Sequence, residues 1–389
     1  MFLKRVKILN YKNIEEADLS LSPKVNCFIG NNGEGKTNLL DVVYYLSFCK
    51  SHSNSVDSQN IMRERDFFML DGNYQVENQS VDVYCGVKRR QKKQFKKDKK
   101  EYDKLSEHIG LLPLVMVSPA DEELIMGSSE ERRKFIDGFI SQYDHPYLRH
   151  LIAYKNLVTQ RNAMIRDEVR DNLLYETIEE QLELHGNAIY EKRRDFIGKF
   201  LPLFQEFHNI VSLGREEVQL SYKSQLSEGE SLFQMLKSKR EKDFIVGYTT
   251  VGVHKDDLEM GMDGLPIRKI GSQGQNKTFL IALKLAQFDF LRQLKNVKPI
   301  LLFDDIFDKL DGERVNQIVR LIKDNRFGQV FVSDTDREHL SSILKSMDCP
   351  YHLYFVKGGE IELNILCVAD AQIDIIACLD DGGRKQCSQ

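Results

Sequence analysis

No run of eighteen apolar residues occurs in this 389-residue chain, so the sequence offers no candidate membrane-spanning helix. The opening stretch Met1-Phe2-Leu3-Lys4-Arg5-Val6 is too short and too charged for a signal peptide, and a cytoplasmic location with no membrane partner is expected. There is no overall excess of basic charge: the net charge is −4, so any nucleic-acid surface has to be local. The seven cysteines are odd in number and lack metal-like spacing, which argues against a disulfide framework and suits reduced thiols. Cys27 and Cys85 read as small core residues. No internal repeat, low-complexity tract or sustained a/d heptad is present.

What is there is ordinary for a globular chain with room for two or more domains: 41% hydrophobic and 29% charged residues. The most specific signal is Gly30-Asn31-Asn32-Gly33-Glu34-Gly35-Lys36-Thr37, a G-x-x-x-x-G-K-T run. In such a loop, backbone N–H groups including those of Asn31, Asn32 and Glu34 cradle phosphates. Lys36 reaches the β/γ oxygens, and the Thr37 hydroxyl ligates Mg²⁺. The context fits, since Val25–Ile29 before the run suits a buried strand and Asn38–Leu46 after it carries apolar residues at helical spacing. Phosphate is then expected at a helix N-terminus, where free N–H groups and the macrodipole favour an anion.

Pro299-Ile300-Leu301-Leu302-Phe303-Asp304-Asp305 supplies a second half-site, an apolar strand ending in paired carboxylates. Asp304 is expected to position the metal and Asp305 to act as base or water-orienting group. Asp308-Lys309-Leu310-Asp311 follows at once, and Ser272-Gln273-Gly274-Gln275 precedes the strand.

Together these four elements resemble an ABC-type ATPase head of the SMC and RecF kind. The finer matches point to the RecF family. Asn10-Tyr11-Lys12-Asn13 resembles its N-F-R-N start; Ser118-Pro119-Ala120-Asp121 with Gly127–Arg133 resembles its S-P-x-D…G-x-P-x-x-R-R block; Gly252–Asp257 resembles G-P-H-R-D-D. The resemblance covers about residues 1–363 and implies that Ser272, Gly274 and Gln275 form a signature contacting the γ-phosphate bound by a second protomer, with Asp311 in the following D-loop. Departures are Lys12 and Lys255 for arginine, Ser129 for proline, and Gly271 for a larger residue. None removes a catalytic group, although lysine is only a point charge where arginine is a planar fork.

The fold class expected is α/β, an ABC-type P-loop ATPase head with an inserted helical second lobe and no long coiled coil. Residues 1–118 and 241–363 are assigned to the ATPase lobe, 119–240 to the helical lobe, and 364–389 to a peripheral extension. Helical spacing is strong over Glu130–Ser141, Tyr147–Asp167 and Asn172–Phe207. Ser333-Asp334-Thr335-Asp336 follows the last core strand, where a transporter ATPase would carry its switch histidine.

One local basic patch exists. Lys88–Lys104 holds ten basic residues against three acidic ones and interleaves Phe95 and Tyr102, reading either as a hairpin that grips DNA or as a solvated β-arm. Its candidate contacts are Arg89, Arg90, Lys92, Lys93, Lys96 and Lys97. His254 reads more readily as structural than catalytic.

The function implied by the resemblance is ATP-dependent DNA binding in bacterial recombinational repair and replication restart. ATP and Mg²⁺ are the cofactors. An ATP-dependent homodimer clamps duplex DNA near single-strand gaps, assists RecR and RecO in loading RecA, and opens on slow hydrolysis. Two other classes stand beside it: an ATP-switched adaptor with negligible turnover, and an ATPase subunit of a transporter. The S-P-x-D and H-K-D-D blocks disfavour the latter.

Overall fold

The computed structural model describes residues 1–54, 56–306, 312–323, 326–336, 350–368 and 371–374. It divides into two compact units, one of Met1–Pro119 with the chain from Leu291 onward, the other Ala120–Phe290.

The first unit is built on two sheets. The N-terminal meander pairs strands Ile14–Ser20, Phe2–Tyr11, Phe67–Val76, Gln79–Lys88, Gln94–Lys97 and Lys100–Glu101 in that spatial order, every pair antiparallel. Its sequence alternates as a half-buried sheet requires: Phe68, Leu70 and Tyr74 face inward and their neighbours do not. In the second sheet Val25–Ile29 lies between Tyr351–Lys357 and Val330–Asp334, and Ile300–Asp304 then Leu114–Val117 continue beyond, all parallel. Val25–Ile29, Ile300–Asp304 and Val330–Asp334 are buried at every position, which is why they read as apolar runs without alternation. Helix Lys36–Phe48 shares one apolar cluster with the inner faces of both sheets, through Leu39, Val42 and Leu46.

The second unit is helical around a three-stranded sheet. Helices Ser129–Ile140, His145–Arg166 and Asn172–Ser212 match the expected spans within a few residues. Phe139, Phe196, Phe200 and Phe290 pack ring against ring, with centroids 4.9 to 6.2 Å apart. Two ionic knots lie in this core. Arg161, fully buried, meets Glu179 and Asp243; Arg193 meets Asp137 and Asp256. Each guanidinium is satisfied by several acceptors, the condition under which buried charge is tolerated.

The structure moves two boundaries. The helical unit ends at Phe290 rather than near 240, because Asp257–Met262 pairs antiparallel with Val218–Lys223 and Phe290 packs on Phe139. Ser272, Gly274 and Gln275 therefore belong to the second unit. The core sheet also extends past 363, since Glu360–Val368 pairs with Tyr351–Lys357 and with Ala371–Asp374.

Candidate nucleotide site

The P-loop bridges strand Val25–Ile29 and helix Lys36–Phe48, and two of its glycines are there for backbone reasons. Gly35 has φ of 115° at the helix N-cap, a left-handed region that side chains avoid. A Cβ on Gly30 would stand 2.2 Å from the Val356 carbonyl oxygen, so only glycine lets the loop approach the neighbouring strand. Asn31, Asn32 and Gly33 are exposed, whereas Lys36 is buried and donates to the carbonyls of Gly30 and Asn31 at 2.8 and 3.1 Å.

The base of the loop is fastened from two sides. Asn13 Nδ2 donates to the Glu34 carbonyl at 3.0 Å, and Asn38 Nδ2 donates to Asn13 Oδ1 at 2.8 Å. The Glu34 carbonyl also accepts from Gly359 N–H at 2.9 Å, and its carboxylate accepts from Gly358 N–H. In the sequence Asn13 stands out only as part of the Asn10–Asn13 block, and neither it nor the Gly358-Gly359 pair carries a signal of contact with the loop. Lys12 is turned onto the buried carboxylate of Asp41 at 2.5 Å, which also accepts from Tyr11, Ser51 and the His52 N–H.

Asp304 closes the site. Its Oδ1 accepts from Thr37 Oγ1 at 2.9 Å and from Ser333 Oγ at 2.7 Å. Burial raises its carboxyl above the usual range; the Ser333 and Thr37 hydrogen bonds oppose this and the Asp305 charge adds to it. A desolvated carboxylate beside a hydroxyl is a hard-oxygen donor set, and it fits a divalent cation that restores the missing charge compensation. Asp305 adopts φ of 45°, and its Oδ1 is buried without a hydrogen-bond partner among the described residues. Gly30–Asn38, Asp304 and Asp305 lie in the same unit, and the Thr37–Asp304 hydrogen bond joins the loop to the acidic strand. Asp311 lies outside the described residues.

Ser272 precedes helix Gln273–Lys295 and is exposed. Its Oγ accepts from Gln275 N–H at 3.3 Å, and Gln275 Oε1 accepts from Ser272 N–H at 2.9 Å. This reciprocal pair is a capping box, so Ser272 and Gln275 satisfy each other's backbone N–H at the helix start.

The two remaining motif blocks meet inside the second unit and are structural there. Arg132 forks onto Asp257 at 2.7 and 3.0 Å, and Arg133 donates to the Asp256 carbonyl. His254 bonds Tyr154 OH at 2.9 Å and the Thr249 carbonyl at 3.1 Å, and burial lowers its pKa to about 4.

The basic hairpin is corrected in part. Arg89, Arg90 and Lys92 are exposed in its turn, and Lys96 and Lys97 are half-buried. Lys93 points inward instead, to Asp57 and the Cys49 carbonyl. Phe95 is buried against Tyr102 and His108 and is a core residue, not a stacking platform.

The family described as RecF/RecN/SMC N terminal domain matches residues 2–362. The protein called DNA replication and repair protein RecF in Parabacteroides distasonis is 54% identical over 362 residues, covering 93% of this chain and 99% of its own length. Its counterpart in Phocaeicola vulgatus is also 54% identical, with 93% and 98% covered. A solved structure of the recombination mediator protein RecF-ATP in the RecFOR pathway superposes with a TM-score of 0.83 at 24% identity, covering 93% of this chain and 99% of that one, and so shares its fold. Sequence relatedness over nearly the whole length and a shared fold lead to one conclusion: the chain belongs to the RecF family, within the RecF/RecN/SMC group.

Proposed function

We propose that this chain is an ATP-switched DNA-binding ATPase of replication and DNA repair. The observation that carries the reading is the Thr37 Oγ1 to Asp304 Oδ1 hydrogen bond, which joins the P-loop to the acidic strand across the sheet. Relatives named for DNA replication and repair, and one named with ATP, support it.

In this reading the exposed N–H groups of Asn31, Asn32 and Gly33 receive the phosphates, and Lys36 leaves the Gly30 and Asn31 carbonyls for the β/γ oxygens. Thr37 and Asp304 hold Mg²⁺, which supplies charge neutralisation at the phosphates when bound. Asp305 orients a water; the new O–P bond forms as the bond to the ADP oxygen breaks, and the water's proton passes to the Asp305 carboxylate. Products are ADP and phosphate. Ser272, Gly274 and Gln275 present a helix N-terminus to the γ-phosphate of a second protomer, so that ATP assembles a dimer that closes on DNA. The exposed hairpin cations Arg89, Arg90 and Lys92 add phosphate contacts. RecR and RecO are the proposed partners, with cytoplasmic action at gapped DNA.

Mass measurement with ATP, with ADP and with duplex DNA tests this. ATP alone should give a dimer that DNA strengthens, and Lys36→Ala should abolish dimer and turnover together while leaving the fold intact. An ATP-induced dimer in Lys36→Ala would overturn the site assignment. A wild-type dimer that never hydrolyses ATP would leave the adaptor reading in its place.

A further inference from the structure

We propose that Ser333 is a positioning residue for ATP hydrolysis, aligning through one hydroxyl both the carboxylate of Asp304 and the backbone of Asp305. This rests on the ATPase reading above. Ser333 is fully buried in strand Val330–Asp334, and parallel pairing sets it directly opposite Asp304. Its Oγ donates to Asp304 Oδ1 at 2.7 Å and accepts from Asp305 N–H at 3.0 Å. A hydroxyl has one proton, and here it is committed to the carboxylate; a lone pair therefore faces the Asp305 amide. The chain of polarity runs from Asp305 N–H through Ser333 to the metal-side carboxylate.

The second bond matters because Asp305 sits at φ of 45°, a conformation that costs a residue with a Cβ some strain, and the hydrogen bond to its amide helps to hold it there. With its amide pinned, Asp305 keeps a buried Oδ1 that has no hydrogen-bond partner among the described residues, an acceptor suited to a water. Deleting the Ser333 hydroxyl releases the amide and lets Asp305 leave that conformation. It also removes one of the two hydrogen bonds given to Asp304 Oδ1, while Thr37 still supplies the other. Ground-state binding through Lys36 and the loop is untouched. The loss should therefore fall on kcat rather than on nucleotide affinity.

The test is steady-state ATP turnover and ATP affinity for Ser333→Ala, Ser333→Thr, Asp305→Asn and the Ser333→Ala/Asp305→Asn double variant. Ser333→Ala should lower kcat at least tenfold with KM within twofold, and Ser333→Thr should stay within threefold of wild type. The double variant should lose clearly less than the product of the two single losses, because one arm of Ser333 acts through Asp305, while the arm to Asp304 is lost in addition. Wild-type turnover in Ser333→Ala, a loss appearing in KM, or a full multiplicative loss in the double variant would each overturn the proposal. Ser333→Cys preserves volume and guards against a folding artefact. If it and Ser333→Ala both fail to fold, Ser333 is structural and the proposal falls. Absence of any Lys36-dependent turnover in the wild type would instead sink the ATPase reading and this proposal together.

Discussion

Lys93 Nζ lies 2.7 Å from Asp57 Oδ2 and 2.7 Å from the Cys49 carbonyl, the one residue of the basic hairpin's turn segment whose charge faces the apolar core. It also stands 5.2 Å above the Tyr45 ring. The cations of this segment thus divide into exposed ones and an inward one, and the proposed difference between them is measurable.

Changing Arg89, Arg90 and Lys92 together to glutamine should weaken duplex binding without sequence preference and flatten its salt dependence, by roughly 0.9 in log–log slope per lost phosphate contact. Their exposure leaves thermal stability unchanged. Lys93→Gln should do the reverse, costing about 1–2 kcal/mol of stability because Asp57 loses a half-buried partner. Salt titrations of DNA affinity and melting curves for the two variants check this; equal salt slopes for triple variant and wild type would return the hairpin to a solvated arm.

Asp304→Asn should stabilise the nucleotide-free protein at neutral pH, raising Tm by about 2 °C or more, while abolishing stabilisation by Mg-ATP. The carboxyl is raised by burial, so ionised Asp304 opposes folding above its raised pKa. The opposition fades as pH falls from the raised pKa towards the ordinary carboxylate value and is gone below it, where Asp304 is protonated in both states. The advantage of asparagine should therefore shrink on acidification. Calorimetry across pH 4 to 7 measures it.

His254 is held neutral with a pKa of about 4, lowered chiefly by burial. Its contribution to stability is present above its unfolded value of 6.5 and lost as pH falls from there towards 4, where the unfolded chain binds a proton that the folded chain refuses. The difference corresponds to about 3 kcal/mol. His108, bonded to the Leu46 carbonyl at 2.7 Å and also lowered to about 4, adds a similar acid sensitivity in the other unit. His254→Gln should flatten the pH dependence of the second unit only, followed by hydrogen exchange within residues 120–290.

Ser272→Asp keeps a strong N-cap and should preserve stability within a few tenths of a kcal/mol, whereas Ser272→Ala should cost about 1 kcal/mol. On the dimer the order is expected to invert. A carboxylate aimed at a partner's γ-phosphate repels it, so Ser272→Asp should remain monomeric in ATP and Ser272→Ala should still dimerise weakly. Sedimentation of each variant with ATP discriminates; a stable dimer of Ser272→Asp would place the signature elsewhere.

The parts of this molecule legible in the sequence are those whose evidence is contiguous. Gly30–Thr37 carries its own strand, turn and helix signals, and Pro299–Asp305 its own apolar run. Lys93 was hidden because its partner Asp57 lies on a separate short helix and nothing in a run of lysines distinguishes the inward one. Strand Val218–Lys223 was hidden among helices because its alternation is only six residues long. The boundary at Phe290 was missed for a related reason: one helix, Gln273–Lys295, runs across it without a break in periodicity.

The parallel core has a consequence for how the chain is born. Val25 pairs with Val330 on one side and Tyr351 on the other, so the strand that carries the P-loop has no sheet neighbours until residues 330 to 357 have been synthesised. The meander of Phe2–Tyr11, Ile14–Ser20, Phe67–Val76 and Gln79–Lys88 is complete within the first 88 residues and can close early. Helix Lys36–Phe48 and the apolar face it offers the core sheet then wait, uncovered, through the synthesis of the entire second unit. Nascent chains are consequently expected to be most exposed to aggregation and to chaperone capture between the completion of the meander and the arrival of residue 357, and the P-loop strand is expected to reach its final setting only then.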